Sequence, residues 1–511
     1  MNRAAGQSAA SAPGRELRRM ALAAAVPVAA LAVLFLVDVP LGKPGKFVYR
    51  YSPLIELRLL MLPLAGLLAV VGGLAVYLLD QARRSQRICG GLLTIAALSG
   101  WSWWVFTGPP AYRAQHVFNM LSPSQDGAFL IEARHLLKVG LRDYLAGFPQ
   151  RAATPPERMK GTRVISNPPG TTMLLAGALY ALDHWPAARR WLARDLAEPG
   201  MTADELRLTI EAYTGALVLL WLWLLASWPT WLLWRLFFDP APAAALTLTT
   251  IVSPVTLLFV PGKDPAQLLV VMLALWLWFY GLRQRGLLAA FLAGVVAAVA
   301  VAVSLAHVWV GAIVLVATVS SPHVNRTWLL RRGLPAALSG LVGTIVLWGL
   351  LLDFDLLRSA LTVAQAQAHV TRGPGSMPLI WQALGIPLFA LLAGTCLWYL
   401  LPQAFGRPPT NHVELFGRRV LALCLLVLVA TVGFTNVETP RLWVVFVPLL
   451  MLGAALQAPV LRRTARRRGM VLALLVGLHL AAASVQWSLL DARETEFRLQ
   501  TRPGGAPRLF H

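Results

Sequence analysis

Apolar runs of about bilayer length recur along this chain, and short arginine clusters separate them. A helix needs about 20 residues to cross a hydrocarbon core. Runs of that kind occupy 20–41, 56–79, 88–107, 209–237, 241–259, 265–281, 334–352, 378–401, 418–434, 442–459 and 470–489. The stretch 287–319 is too long for one pass and short for two. Arg283 and Arg285 precede it, and Arg326, Arg331 and Arg332 follow it. These flanks belong on one side, so the stretch reads as a hairpin turning near Ser304 to His307. The expected fold is all-α and polytopic, with about 13 transmembrane helices. Charged residues make up only 13% of the chain, about half the usual share of a soluble domain. So little charge cannot cover a soluble core, which excludes a string of soluble domains, a disordered chain and a coiled coil.

The 45 basic and 23 acidic side chains leave a net charge of +22. In a soluble protein this excess would suggest nucleic acid. Here the arginines flank apolar runs, as in Arg18-Arg19, Arg83-Arg84, Arg331-Arg332, Arg418-Arg419 and 462–468. Such placement anchors topology and meets anionic lipid, so membrane lipid rather than nucleic acid is the expected partner. The same rule places the N-terminus and residues 83–87, 406–419 and 462–468 inside. Residues 108–208, 262–265, 353–378 and 434–442 then fall outside. The first run has no small-residue cleavage site ahead of a soluble domain, so it reads as a helix and not a cleaved leader. Residues 1–17 read as a disordered cytoplasmic tail, 18–490 as the membrane domain and 491–511 as a loose tail. The short run 168–182 would upset the parity as a full pass, so it is expected to enter from outside without crossing.

Four polar clusters fall on the outer side. In the first, Asp126 precedes 128–139, where Phe129, Leu130, Ala133, Leu136 and Leu137 share one helical face. That spacing describes an amphipathic helix in the interface. Asp126 either caps this helix or presents a carboxylate to a cavity. The second cluster is Asn167-Pro168-Pro169-Gly170 ahead of an apolar helix. It is an ordinary helix start, or a rigid cavity edge whose free amides meet an anion. The third is Lys263-Asp264 after Pro261-Gly262, solvated or functional. The fourth is Glu438-Thr-Pro-Arg441-Leu-Trp443. Arg441 either snorkels to headgroups or grips a phosphate with its planar fork, and Glu438 is placed to orient it. Asp353, Asp355, Arg358, His369 and Arg372 form a weaker outer group, and His307 reads as a satisfied polar residue. The nine histidines lack metal-ligand spacing, and the three cysteines lie in apolar runs. No metal site is expected.

The order of these clusters resembles the integral-membrane glycosyltransferases of the GT-C superfamily, which use polyprenyl-phosphate sugars. The segment from Gln125-Asp126-Gly127 to Tyr144 is similar to that family's first outer loop. Asn167-Pro168-Pro169-Gly170 resembles its His-Pro-Pro element, with Asn in place of the usual His. Pro254 and then Lys263-Asp264 resemble its second acidic site, and Glu438 to Pro448 resembles a C-terminal Glu/Arg–Trp–Pro signature. The resemblance implies a lipid-linked sugar phosphate as donor substrate, no further cofactor, and a glycan, lipid or protein acceptor. It implies Asp126 as general base, Arg441 and Lys263 on the leaving phosphate, and Asn167, Asp264 and Glu438 as substrate-binding residues. It also implies inversion at the anomeric carbon and a site on the extracytoplasmic side of the plasma (inner) membrane. The competing expectations are a transporter or lipid flippase and a non-catalytic envelope scaffold. A transporter would bring pseudo-symmetry and broken midplane helices, neither evident in the sequence.

Overall fold

A computed structural model describes residues 12–37, 41–43, 47–51, 60–107, 120–121, 126–153, 167–321, 324–372, 385–406, 408–435, 439–462 and 465–494. The helices used below are α1 (Ala12–Leu36), α2 (Leu62–Leu79), α3 (Arg84–Thr107), α4 (Gly127–Val139), α5 (Gly170–Asp183), α6 (Pro186–Leu196), α7 (Ala203–Leu225) and α8 (Pro240–Ile251). They continue as α9 (Lys263–Ala266), α10 (Leu268–Gln284), α11 (Leu287–Val303), α12 (Ala306–Val319), α13 (Leu334–Leu352) and α14 (Leu356–Arg372). The last are α15 (Gly385–Leu392), α16 (Thr395–Phe405), α17 (His412–Thr435), α18 (Thr439–Leu442), α19 (Val447–Ala455) and α20 (Ala465–Leu489). Among the described residues, eight helices are long and apolar enough to cross a membrane, or nine if the bent pair α15–α16 counts as one span. The chain is a multi-pass membrane protein. Three shorter apolar helices, Leu287–Val303, Ala306–Val319 and Trp443–Ala455, supplement the long ones.

The chain is helical, as expected, with one small addition. Strands β1 (Leu41–Lys43), β2 (Phe47–Tyr51) and β3 (Leu490–Glu494) form a small antiparallel sheet in the order β1-β2-β3. Tyr49 pairs with Leu41 on one side and Ala492 on the other. Residues 491–494 are therefore strand and not loose tail, because β2 offers them an unpaired edge. Likewise α1 begins at Ala12, so the last residues of the expected tail are helical. The remaining tail residues, 1–11 and 495–511, lie outside the described residues.

Several expected passes are broken. The run 241–259 splits into α8 and a short turn Pro254–Leu257, because Pro254 cannot continue the helix hydrogen bonding. The run 378–401 is described from Gly385 and bends by 105° between α15 and α16. Gly394 sits at that bend with φ of 91°, a left-handed conformation that a side chain would strain. A broken helix, expected only of a transporter, is thus present. The stretch 287–319 breaks where expected, at Ser304 and Leu305, into α11 and α12. These two pack on different neighbours, α11 on α10 and α13, and α12 on α17.

Close helix contact rests on small residues, as packing in lipid favours. A Cβ at Gly294 would lie 1.9 Å from the Ala337 carbonyl oxygen, and one at Gly340 would lie 2.0 Å from that of Phe291. The backbones of α11 and α13 therefore nearly touch.

Polar ties gather at two opposite ends of the helices. At one end Arg468, at the start of α20, binds the buried Asp80 at 2.7 Å and Asp239 at 2.8 Å. Arg283 donates to the Leu236 carbonyl at 2.7 Å, and Arg419 donates to that of Ser320. At the other end α20 runs into β3, and Lys263 and Asp264 precede α10 at the end away from Arg283. The loops assigned to one side by arginine position are thus tied to one another, and so are those assigned to the other.

Candidate active site

Asp126 stands at the N-terminus of α4, but its side chain makes no capping hydrogen bond. Instead Oδ2 accepts the backbone N–H of Lys263 at 2.9 Å, across 137 residues of sequence. The carboxylate therefore does not cap α4; it ties the start of that helix to the Lys263 backbone. Gly262 makes the approach possible. A Cβ there would sit 2.5 Å from the Phe259 carbonyl oxygen and 3.2 Å from Asp126 Oδ2.

The contacts continue from Lys263. Its Nζ donates to Asn167 Oδ1 at 2.8 Å and lies 3.2 Å from Asp264 Oδ1. Arg441 Nε stands 2.9 Å from Asp264 Oδ2. Asp126, Asn167, Lys263, Asp264 and Arg441 are all at least nine-tenths buried. Five of the six residues singled out from the sequence therefore meet in one chain of contacts. The sixth, Glu438, lies outside the described residues. Among the described residues the cluster holds two carboxylates and two cations, with Asp264 in contact with both cations.

The outer loop holds Asp126 and Asn167 in place by ion pairs. Arg134 of α4 reaches Asp183 at the end of α5 at 2.8 Å and Glu211 of α7 at 2.6 Å. One guanidinium thus ties three helices. Tyr144 donates to Glu132 Oε2 at 2.8 Å, and Arg151 covers the Tyr144 ring at 4.0 Å. Burial, followed by the charge of Glu132, pushes the Tyr144 phenol well above its ordinary range, so it stays a neutral donor. Gly170, the first residue of α5, packs against the last turn of α11, where a Cβ would meet the Ala302 carbonyl oxygen at 2.6 Å. That contact sets the depth of Asn167, three residues earlier.

Arg441 is positioned by the residues just beyond it. Trp443 donates from its indole Nε1 to Thr431 Oγ1 at 3.2 Å and packs edge-on against Phe389 at 5.2 Å. These contacts join the turn just after α18 to α17 and α15.

The weaker outer group has structural partners. Asp353 pairs with Arg142, and Asp355 accepts the Arg358 backbone N–H at 2.8 Å as a helix cap. The side chains of His369 and Arg372 lie outside the described residues. Sequence reading missed Gln267, whose amide donates to Asp264 Oδ1 at 3.3 Å. It also missed the Phe129 ring, 6.0 Å from Lys263 Nζ, at the outer limit for cation–π attraction. Helical spacing held both signals: Gln267 is one turn beyond Asp264, and Phe129 one turn beyond Asp126. Among the described residues, no three His, Cys, Asp or Glu side chains are grouped as metal ligands.

No family model matches the chain. No curated protein matches it either.

Proposed function

We propose that the protein is a membrane glycosyltransferase that moves a sugar from a polyprenyl-phosphate donor to an acceptor hydroxyl. The supporting observation is the convergence of Asp126, Asn167, Lys263, Asp264 and Arg441 into one buried cluster at one end of apolar helices. Two buried acids and two buried cations are costly to gather, and stability alone does not favour them over apolar side chains. They match a reaction in which an alcohol loses a proton while a phosphate leaves.

In the proposed step the acceptor oxygen forms a bond to the anomeric carbon as the bond from that carbon to the phosphate oxygen breaks. The electron pair departs with the phosphate, and the acceptor proton passes to Asp126. A positioned base contributes about 10²–10⁴-fold. Cations that meet the developing phosphate charge contribute at least as much. Arg441 and Lys263 supply that charge. Asp264, between them, holds both in register, and Asn167 holds the Lys263 ammonium. Attack from the face opposite the leaving phosphate gives inversion. Glu438 is proposed to bind substrate from the turn before Arg441. A sugar phosphate already carried by a lipid needs no further cofactor.

The finer topology belongs to the same proposal. Thirteen crossings are reached by adding to the eight long helices the bent pair, the three shorter helices and the broken run 241–259. The arginine-rich end then faces the cytoplasm, and the cluster faces the extracytoplasmic side of the plasma membrane.

Asp126→Asn tests the base. In membranes supplied with a labelled polyprenyl-phosphate sugar, label transfer is expected to disappear while the amount of membrane-inserted protein stays the same. Undiminished transfer removes Asp126 from the chemistry. One observation favours a second reading, a lipid transporter: the 105° break at Gly394 resembles the discontinuous helices of carriers. Transfer of labelled sugar between molecules, rather than movement of intact lipid across a bilayer, separates the two.

A further inference from the structure

His307 is the second residue of α12, directly after the break at Ser304 and Leu305. It is 6% exposed. Its Nδ1 lies 2.5 Å from the Ala300 carbonyl oxygen. A carbonyl can only accept, so Nδ1 must carry the proton. The other ring nitrogen, Nε2, is then left with a lone pair, and it is buried without a hydrogen-bond partner. Leaving a buried acceptor unsatisfied costs about 1–3 kcal/mol. Native interiors seldom tolerate that without a use.

The position of this ring bears on its use. The last turn of α11, just before the break, is the surface on which Gly170 packs, with the Val303 amide 2.9 Å from where a Cβ would stand. The Ala300 carbonyl that meets His307 is two residues before the Ala302 carbonyl on which Gly170 packs, and Asn167, which accepts from Lys263, is three residues before Gly170. The unpartnered acceptor therefore sits at the same α11–α12 break on which the Asn167–Gly170 element packs.

We infer that His307 positions a substrate hydroxyl, accepting its proton-donating hydrogen bond at Nε2. The chemistry selects the group. A phosphate oxygen has no proton to offer a neutral imidazole, and an isoprenoid chain has no donor at all. Of the parts of a polyprenyl-phosphate sugar, only the sugar hydroxyls can satisfy Nε2. This assignment rests on the glycosyltransferase reading. His307 is a substrate-positioning residue and not the base, because Asp126 takes the acceptor proton.

The test uses the full chain in nanodiscs, labelled with ¹⁵N histidine. It is titrated with a short-chain isoprenyl-phosphate mannose and, separately, with the same isoprenyl phosphate lacking sugar. The His307 Nε2 resonance, assigned by its loss in His307→Asn, is expected to move with the sugar-bearing lipid only. His307→Asn keeps a donor near Nδ1 and removes the Nε2 acceptor, so it is expected to weaken binding of the sugar lipid about tenfold. His307→Gln carries an amide oxygen to the Nε2 position and is expected to restore most of the affinity. An unmoved Nε2 resonance, equal movement with both lipids, or unchanged affinity in His307→Asn each overturns the inference. Arg441→Gln is the companion variant. If it weakens binding while His307→Asn does not, the hydroxyl assignment alone fails. If the sugar lipid does not bind wild-type protein, or binds Arg441→Gln equally well, the glycosyltransferase reading fails and the inference goes with it.

Discussion

Asp264 is the shared carboxylate of the buried cluster, so its removal separates two kinds of stabilisation. It stands 3.2 Å from the Lys263 ammonium and 2.9 Å from the Arg441 guanidinium. At an effective dielectric constant of about 20, such contacts are each worth roughly 5–6 kcal/mol before desolvation. Desolvation offsets most of this in the intact cluster. Asp264→Asn removes the attraction and keeps the desolvation, leaving two buried cations with one fewer anion. The expected loss of stability is about 3–5 kcal/mol. Lys263→Met is milder, at about 1–3 kcal/mol, because Asp264 keeps Arg441 and the Gln267 amide at 3.3 Å. The double variant removes one acid and its contacting base together. It is therefore expected to be more stable than the sum of the single losses by about 1–3 kcal/mol. Equilibrium unfolding of the three variants in bicelles, titrated with a denaturing detergent, measures the cycle. Losses that add to within about 0.5 kcal/mol, or an Asp264→Asn variant no weaker than Lys263→Met, would refute the electrostatic reasoning.

Other outcomes can be checked separately. Arg441→Lys keeps the charge but loses the planar fork; retention of a polyprenyl-phosphate sugar on purification, read by native mass spectrometry, is expected to fall while the thermal midpoint changes little. Gly340→Val places side-chain atoms where a Cβ alone would lie 2.0 Å from the Phe291 carbonyl; thermal unfolding is expected to show separation of α11 from α13 as a destabilisation above about 2 kcal/mol. Asp80→Asn removes the buried partner of Arg468, which keeps Asp239 on its exposed side; a lowered thermal midpoint is expected without change in sugar transfer, because this ion cluster lies at the opposite end of the helices.

The parts of the fold legible in the sequence were those that lipid imposes. Hydrocarbon demands long apolar helices, so runs such as 62–79 and 412–432 are plain from composition. Arginine clusters gave the two ends, because charge placement follows a local rule. The sheet was not legible. It joins residues near 50 to residues near 490, and five-residue strands carry little periodic signal beside 20-residue helices. The break at Gly394 depends on a neighbour that its own run does not contain: Gly394 faces His479, 2.5 Å from where a Cβ would stand. The break at Ser304 was legible, from the length of 287–319 and its arginine flanks.

The site was legible as a set of residue types and not as a geometry. Asp126 looked as much like a helix cap as a functional acid, since both uses place a carboxylate before an amphipathic helix. The structure sets aside the cap, because the carboxylate bonds the Lys263 amide across the fold instead. His307 looked satisfied, and half of it is: Nδ1 has a carbonyl within its own break, while Nε2 does not. A sequence carries no sign of which ring nitrogen finds a partner.

The most direct measurement reconstitutes the purified protein in liposomes with a polyprenyl-phosphate sugar and envelope extract as acceptor source, and follows the lipid by mass spectrometry. The expected result is free polyprenyl phosphate released in step with the appearance of a glycosylated product, and neither in liposomes carrying Asp126→Asn. Intact lipid-linked sugar appearing in the opposite leaflet, with no bond to the sugar broken, would contradict it.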